Sequence, residues 1–144
     1  MSQSIRIATS EDYPKIMKIW ESAVKSTHDF LSEADFEYFK KIIPIDYLPN
    51  LEVYLISENN DIKGFGSVSD DMLQMLFIHN DSRGKGLGKV LCMFLKEKTG
   101  FSKVDVNEEN LQAIKFYEKL GFQKIGRSEK EGSGKDYPII HMSL

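Results

Sequence analysis

Seven residues in the middle of the chain, Arg83-Gly84-Lys85-Gly86-Leu87-Gly88-Lys89, combine what an anion needs. Gly84, Gly86 and Gly88 have no Cβ, so a bulky group can approach the backbone N–H donors closely. Leu87, Val90, Leu91, Phe94 and Leu95 follow at helical spacing, so the loop opens a helix. That helix adds the positive end of its dipole and the unbonded amides of its first turn. Arg83, Lys85 and Lys89 add formal charge. The expectation is a cradle for a pyrophosphate. On these residues alone, a glycine-rich turn with no ligand is the alternative.

Two common pyrophosphate loops do not fit. In a P-loop, Gly84 and Gly88 would stand one residue too close together, and Val90 cannot ligate magnesium. In a dinucleotide fingerprint, Gly84 and Gly86 take the first two places, but the third falls on Lys89, too bulky for close helix packing. Asp105 lies at about the right distance for a ribose contact. Yet the loop follows three strands of antiparallel type and does not open a βαβ unit.

The elements that must position this loop follow from periodicity. Ile5-Arg6-Ile7 alternates and starts a strand. Thr9-Ser10-Glu11-Asp12 reads as a helix start, followed by Tyr13, Ile16, Met17, Trp20 and Val24 on one helical face. A second helix is expected over 33–42. Between the two, Thr27-His28-Asp29-Phe30-Leu31 is unusually apolar and aromatic for a loop. Segments 53–57 and 64–68 flank Glu58-Asn59-Asn60-Asp61 and predict an antiparallel hairpin. Segment 72–78 is almost wholly apolar, which predicts a strand buried on both faces. A strand over 103–106 precedes a helix carrying Ala113, Phe116, Tyr117 and Leu120, with Asn107 as its cap and Gly121 as its stop. Glu108 and Glu109 would favour that helix's dipole. Segments 122–127 and 137–142 finish the sheet, around a flexible loop at 129–135. The predicted order is β-α-α-β-β-β-α-β-α-β-β, an α/β fold with a mixed, mostly antiparallel central sheet flanked by helices.

Composition limits the function classes. The 144 residues are 41% hydrophobic, enough for one core without disulfide or metal, so a single domain over 1–144 is expected. Nineteen basic and 22 acidic side chains give a net charge of −3 and no general attraction to nucleic acid or anionic membrane. Cys92 is the only cysteine, which excludes an internal disulfide and a cysteine zinc site. It reads as a small buried hydrophobe. No apolar run is long enough to span a membrane, and the first ten residues lack a signal-peptide core. A soluble cytoplasmic protein is expected.

Arg83-x-x-Gly86-x-Gly88 at the head of a helix resembles the first signature of the GNAT superfamily of N-acetyltransferases. About twenty residues on, Asn107, Asn110, Ala113, Phe116-Tyr117 and Gly121-Phe122 resemble its second signature. The resemblance runs from Ile5 to Met142. Thr27-His28-Asp29-Phe30-Leu31, Val106-Asn107-Glu108-Glu109-Asn110 and Gly126-Arg127-Ser128-Glu129 also resemble the small bacterial YjaB-type acetyltransferases.

The resemblance implies transfer of acetyl from acetyl-CoA, as co-substrate, to a primary amine such as a lysine side chain or small amine. It implies direct attack in a ternary complex and no metal. In such folds the strand before the glycine loop carries a bulge and splays from its neighbour, so that the pantetheine arm pairs with it like an added strand. On this chain Leu76 would offer its backbone N–H to the acetyl oxygen, with Phe77 and Ile78 facing the pantetheine amides. Arg83, Gly84, Lys85, Gly86, Leu87, Gly88 and Lys89 would hold the pyrophosphate. Asn107, Asn110, Ala113, Phe116 and Tyr117 complete the expected coenzyme site, with Asn110 bonding the arm.

Amine attack on a thioester requires a deprotonated nucleophile, a donor for the tetrahedral oxygen and a proton for the leaving thiolate. Tyr117 is the candidate acid; alternatively it is half of a Phe-Tyr core pair. His28 is the candidate base or an acceptor-pocket residue. His79 reads as a loop residue, and the facing of His141 is open. Trp20 reads as core or as acceptor-site wall. A non-catalytic acyl-CoA sensor is the competing function; monomer and homodimer are both compatible with the sequence.

Overall fold

The computed structural model describes residues 3–27, 31–132 and 134–144. Gln3–Ile7 forms β1. The polar Thr9–Asp12 stretch first makes a 3-10 turn, Ser10–Asp12, and α1 then runs Tyr13–Thr27. Ser32 caps α2, Glu33–Ile42, by accepting from the Asp35 amide at 3.1 Å. Pro44 has no N–H to continue the helical ladder, and the chain passes through a wide turn, Ile43–Tyr47, into a 3-10 turn, Leu48–Asn50.

Three strands follow as two tight hairpins. β2, Val53–Glu58, meets β3, Asp61–Ser69, across Asn59 and Asn60, both with positive φ. β3 meets β4, Met72–Ile78, across Asp70 and Asp71, also both positive. Two left-handed residues match the twist of a two-residue hairpin, and Asn and Asp tolerate that conformation best after glycine. After the glycine loop, α3 spans Leu87–Thr99 and stops at Gly100 (φ 71°). β5, Lys103–Asn107, α4, Leu111–Lys119, β6, Gln123–Ser128, and β7, Ile139–Ser143, complete the chain.

The seven strands form one sheet in the order β1-β2-β3-β4-β5-β7-β6. All neighbours are antiparallel except β4 and β5. One face packs on α3 and α4 through Tyr54, Ile56, Leu73, Leu91, Leu95, Val104, Val106 and Met142. The other packs on α1 and α2 through Ile16, Ile19, Trp20, Val53, Leu55 and Phe65. α3 lies close to β3 because Gly66 has no side chain: an added Cβ there would stand 3.0 Å from Leu95 Cδ1.

The parallel pair β4–β5 is registered only at Met72–Lys103 and Leu73–Val104. On its other side β4 skips a residue against β3, Ser67 facing Met75 and Val68 facing Leu73, so Gln74 bulges out. Bulge and divergence together open a V between β4 and β5. The expectation of a strand buried on both faces is therefore corrected. Leu76 and Ile78 do turn to one core and Met75 and Phe77 to the other, but of this strand only Leu73 is buried. The missing cover is the neighbour strand that has swung away.

Two local expectations around α4 also change. Asn107 is not the helix cap; it ends β5 and accepts from the Glu109 amide at 2.8 Å. Asn110 is the cap, accepting from the Ala113 amide at 3.2 Å. Glu108 stands before that cap, outside the helix, and is held by Arg127 through two contacts of 2.6 and 3.1 Å. At the far end Phe122 N donates to Tyr117 O and Gly121 N to Glu118 O, each at 3.0 Å, with Gly121 at φ 100°. This paired closure needs a left-handed residue at Gly121, and it stacks Phe122 edgewise on Tyr117.

The closed end of the V is pinned by Asp71. Its carboxylate accepts from Ser102 N at 2.9 Å and Ser102 Oγ at 2.6 Å, and its carbonyl accepts from Lys103 N at 3.1 Å. Replacing Asp71 with Ala removes both carboxylate bonds and is expected to cost about 1–3 kcal/mol in urea unfolding. A change below a few tenths would mean the apex is held by strand pairing alone.

Candidate active site

Between β4, the start of α3 and one face of α4 lies a continuous groove. Its upper part, about 500 Å³, is lined by Ser82, Arg83, Gly84, Gly86, Leu87, Gly88 and Lys89 and by Gln112, Lys115, Phe116 and Lys119 of α4. Its lower part, about 170 Å³, is lined by Ala23, Leu76, Phe77, Ile78, Arg83, Gly88, Asn110, Gln112, Ala113 and Phe116. The two share Ile78, Arg83, Gly88, Gln112 and Phe116.

The loop has the properties an anion needs. Gly84 and Gly86 adopt φ of 79° and 80°, and a Cβ on either would meet nothing within 4 Å, so the backbone is bare toward the groove. Gly86 is the N-cap of α3, and no side chain caps that end. The first-turn amides of a 13-residue helix are thus left facing Arg83, Lys89, Lys115 and Lys119. Below the loop, the edge of β4 from Gln74 onward has lost its β5 partner, leaving strand-type donors and acceptors for an extended chain. Asn110 uses its oxygen as the α4 cap, while its Nδ2 donors make no hydrogen bond among the described residues and border the groove. These groups fit a ligand with a diphosphate at one end and an amide-bearing arm at the other, which is the chemistry of coenzyme A.

A second cavity, about 230 Å³, lies on the α1–α2 side of β4. Trp20, Phe39, Tyr47, Phe77 and Tyr137 give it aromatic walls, and Gln74, Asn107 and Glu131 give it polar ones. Trp20 is both core and wall: it is 4% exposed and stacks on Phe36 at 5.2 Å between centroids. The stretch before β7 is strapped across this cavity. Lys135 Nζ lies 2.9 Å from Asp35 Oδ1, and the Tyr137 hydroxyl donates to the same carboxylate. Phe77 lines both this cavity and the lower groove, so the two meet at one residue of β4.

Twelve of the residues expected to hold the coenzyme border the groove: Leu76, Phe77, Ile78, Arg83, Gly84, Gly86, Leu87, Gly88, Lys89, Asn110, Ala113 and Phe116. Lys85 does not line it, and Asn107 lines the aromatic cavity instead. Tyr117 is 7% exposed, packed against Phe116 and Phe122, and borders none of the three cavities. Its hydroxyl makes no hydrogen bond among the described residues. Burial, with a smaller contribution from Cys92, pushes its pKa far above the usual phenol value. The Cys92 thiol is itself pushed up to about 11 by burial, which fits an inert core position. His28 lies outside the described residues; its neighbour Leu31 lines the aromatic cavity. His79 accepts from the Asp81 amide at 3.1 Å and caps the short turn before the loop.

The sequence reading missed Gln112, Lys115 and Lys119. Their spacing puts them on the α4 face that carries Phe116, and Gln112 accepts from the Arg83 guanidinium. A polar i, i+3, i+7 stripe beside an apolar one was the available signal, but only the packing of α4 beside the loop gives it meaning.

Residues 22–144 match the family model described as an acetyltransferase (GNAT) domain. The chain belongs to the GNAT acetyltransferase family. It is 34% identical over 143 residues to the peptidyl-lysine N-acetyltransferase YjaB of Salmonella typhimurium, covering 99% of this chain and 98% of that one. The solution structure of apo YjaB from Escherichia coli superposes with a TM-score of 0.91 at 33% identity, covering 99% of this chain and 97% of that one. A more distant structure, the PaiA N-acetyltransferase of Thermoplasma acidophilum in complex with coenzyme A, shares the fold with a TM-score of 0.77 at 19% identity, and each chain is covered in full, 100%.

Gly86 tests the loop. A side chain at φ 80° is strained and would disturb the loop that lines the groove, so Gly86→Val is expected to weaken coenzyme A binding by tenfold or more, about 1.4 kcal/mol. Calorimetry on a variant with unchanged circular dichroism would measure it, and an unaltered Kd would move the diphosphate elsewhere.

Proposed function

We propose that residues 1–144 act as one domain that transfers acetyl from acetyl-CoA to the ε-amine of a lysine side chain by direct attack. The observation that carries this reading is the meeting of the groove and the aromatic cavity at Phe77. A donor lying along β4 and an amine entering from the α1–α2 side would approach one another there without a covalent enzyme intermediate.

Bound acetyl-CoA supplies the thioester. The amides of the glycine loop and the charges of Arg83, Lys89, Lys115 and Lys119 bind and orient its diphosphate end. The Leu76 N–H is the donor for the oxygen that gains charge. Tyr117 is the candidate proton donor to the leaving thiolate by its place in the second signature, although its buried ring borders none of the three cavities. Its raised pKa means the protonated form persists as pH rises past the ordinary phenol range, so an alkaline fall in rate would not come from Tyr117. His28 is the candidate base. Lysine suits the aromatic cavity because its stem is apolar and only its tip is charged, and Glu131 gives that tip an acidic neighbour on the wall. Relatives with peptidyl-lysine N-acetyltransferase activity at 34% identity support the same choice.

Tyr117→Phe keeps the ring packing and removes the proton, so kcat should fall about a hundredfold while the Kd for coenzyme A holds. An unchanged kcat would return Tyr117 to the core alone. Lysine peptides with blocked N-termini should be acetylated, whereas peptides whose only amine is the N-terminus should not. Reversed preference would exclude the lysine reading. In His28→Ala, loss of the acid limb of kcat/KM against pH is expected; an intact limb would assign the base elsewhere.

A further inference from the structure

The α1–α2 face of the sheet is covered unevenly. α1 packs on β3 and β4. Farther along that face, β5 and β7 turn Val104, Val106, Ile140 and Met142 to the opposite core, so their alternate residues, and the β6 residues paired with those, face outward. Three of those residues are Asp105, His141 and Ser128. Asp105 pairs with His141 across the ladder, and Gly126 faces His141 on the other side.

These three side chains form a directed chain. Asp105 Oδ1 lies 2.6 Å from His141 Nδ1, and Ser128 Oγ lies 2.6 Å from His141 Nε2. A carboxylate only accepts, so Nδ1 carries the hydrogen and Nε2 is left as the base toward the Ser128 hydroxyl. Gly126 lies beside the ring: a Cβ there would stand in ordinary contact, 3.6 Å, with His141 Cδ2. The imidazole is 33% and the Asp105 side chain 37% exposed, so the group is open to solutes. None of the three borders the groove or the aromatic cavity, and the acetyl-transfer mechanism uses none of them.

We propose that Ser128 is a nucleophilic serine, with His141 as its base and Asp105 as the positioning residue, forming a second reactive centre for activated carboxylic esters. Ser128 Oγ bonds to the ester carbonyl carbon. Its proton passes to His141 Nε2. The bond to the leaving alcohol breaks, and that alcohol takes the proton, leaving an acyl-serine that water can hydrolyse. The arrangement is recognised by geometry and role, since the three residues come from three different strands.

A fluorophosphonate probe on the full chain tests this directly. Ser128 Oγ bonds to phosphorus, fluoride leaves, and the proton goes to His141. Expected are labelling mapped to Ser128 by peptide mass spectrometry, its loss in Ser128→Ala, and about a hundredfold slower labelling in His141→Ala. Asp105→Asn should lower the maximal labelling rate and leave the half-saturating probe concentration unchanged, which a purely structural role would not do. Ser128→Ala should still bind coenzyme A, reporting an intact fold. Labelling at other residues, a rate indifferent to His141→Ala, or no labelling of folded protein would overturn the proposal and leave the trio a cross-strand clasp.

Discussion

The parting of β4 from β5 is the constraint on which the rest of the molecule depends. A parallel pair held at two positions and then released leaves one edge of β4 without partners in the middle of a sheet. Exposed strand edges are ordinarily covered or paired, because unpaired amides and carbonyls are costly away from water and invite other chains. Here the edge is kept open by local devices: the Gln74 bulge on one side and the Asp71 clamp at the apex. Everything that binds along β4 depends on that opening.

The glycine loop and α4 extend the same opening upward. β4 ends at Ile78, a short turn capped by His79 redirects the chain, and α3 begins with its amides uncapped at the head of the V. α4 is set down beside it by the Asn110 cap at one end and the Gly121 closure at the other. Those two ends fix which side chains of α4 face the groove. Ala113 and Phe116 line the lower groove, Lys115 and Lys119 line its upper part beside the loop, and Tyr117 turns into the core with Phe122. A helix of nine residues thus serves binding on one side and packing on the other.

The opposite face of the sheet divides in a related way. Where α1 and α2 cover it, β4 and its neighbours present Met75, Phe77 and Phe65 to an aromatic cavity and core. Beyond the V, the outward positions include Asp105, His141 and Ser128, which hydrogen-bond across three strands. Polar side chains on an open sheet face are ordinary. A carboxylate, an imidazole and a hydroxyl joined in that order are a specific chemical arrangement, made by register.

The sequence by itself determined the periodic and the local. Alternation and helical spacing placed the strands and helices; α2 was predicted at the bounds it has, and the Asn-Asn turn followed from residues that tolerate positive φ. The glycines of residues 84–88 made an anion cradle legible because their effect is local: no side chain, next to a helix start. Only the tertiary structure decided what depends on which element lies beside which. An apolar run such as 72–78 reads as buried, and nothing within it tells that its neighbour strand leaves after Leu73. Gln112, Lys115 and Lys119 look like an ordinary solvated face until α4 is laid against the loop. Asp105, Ser128 and His141 are separated by 23 and 13 positions in the chain, and β7 lying between β5 and β6 brings them within 2.6 Å contacts. Pairing between distant strands is set by the packing of the whole sheet, which a one-dimensional pattern does not contain.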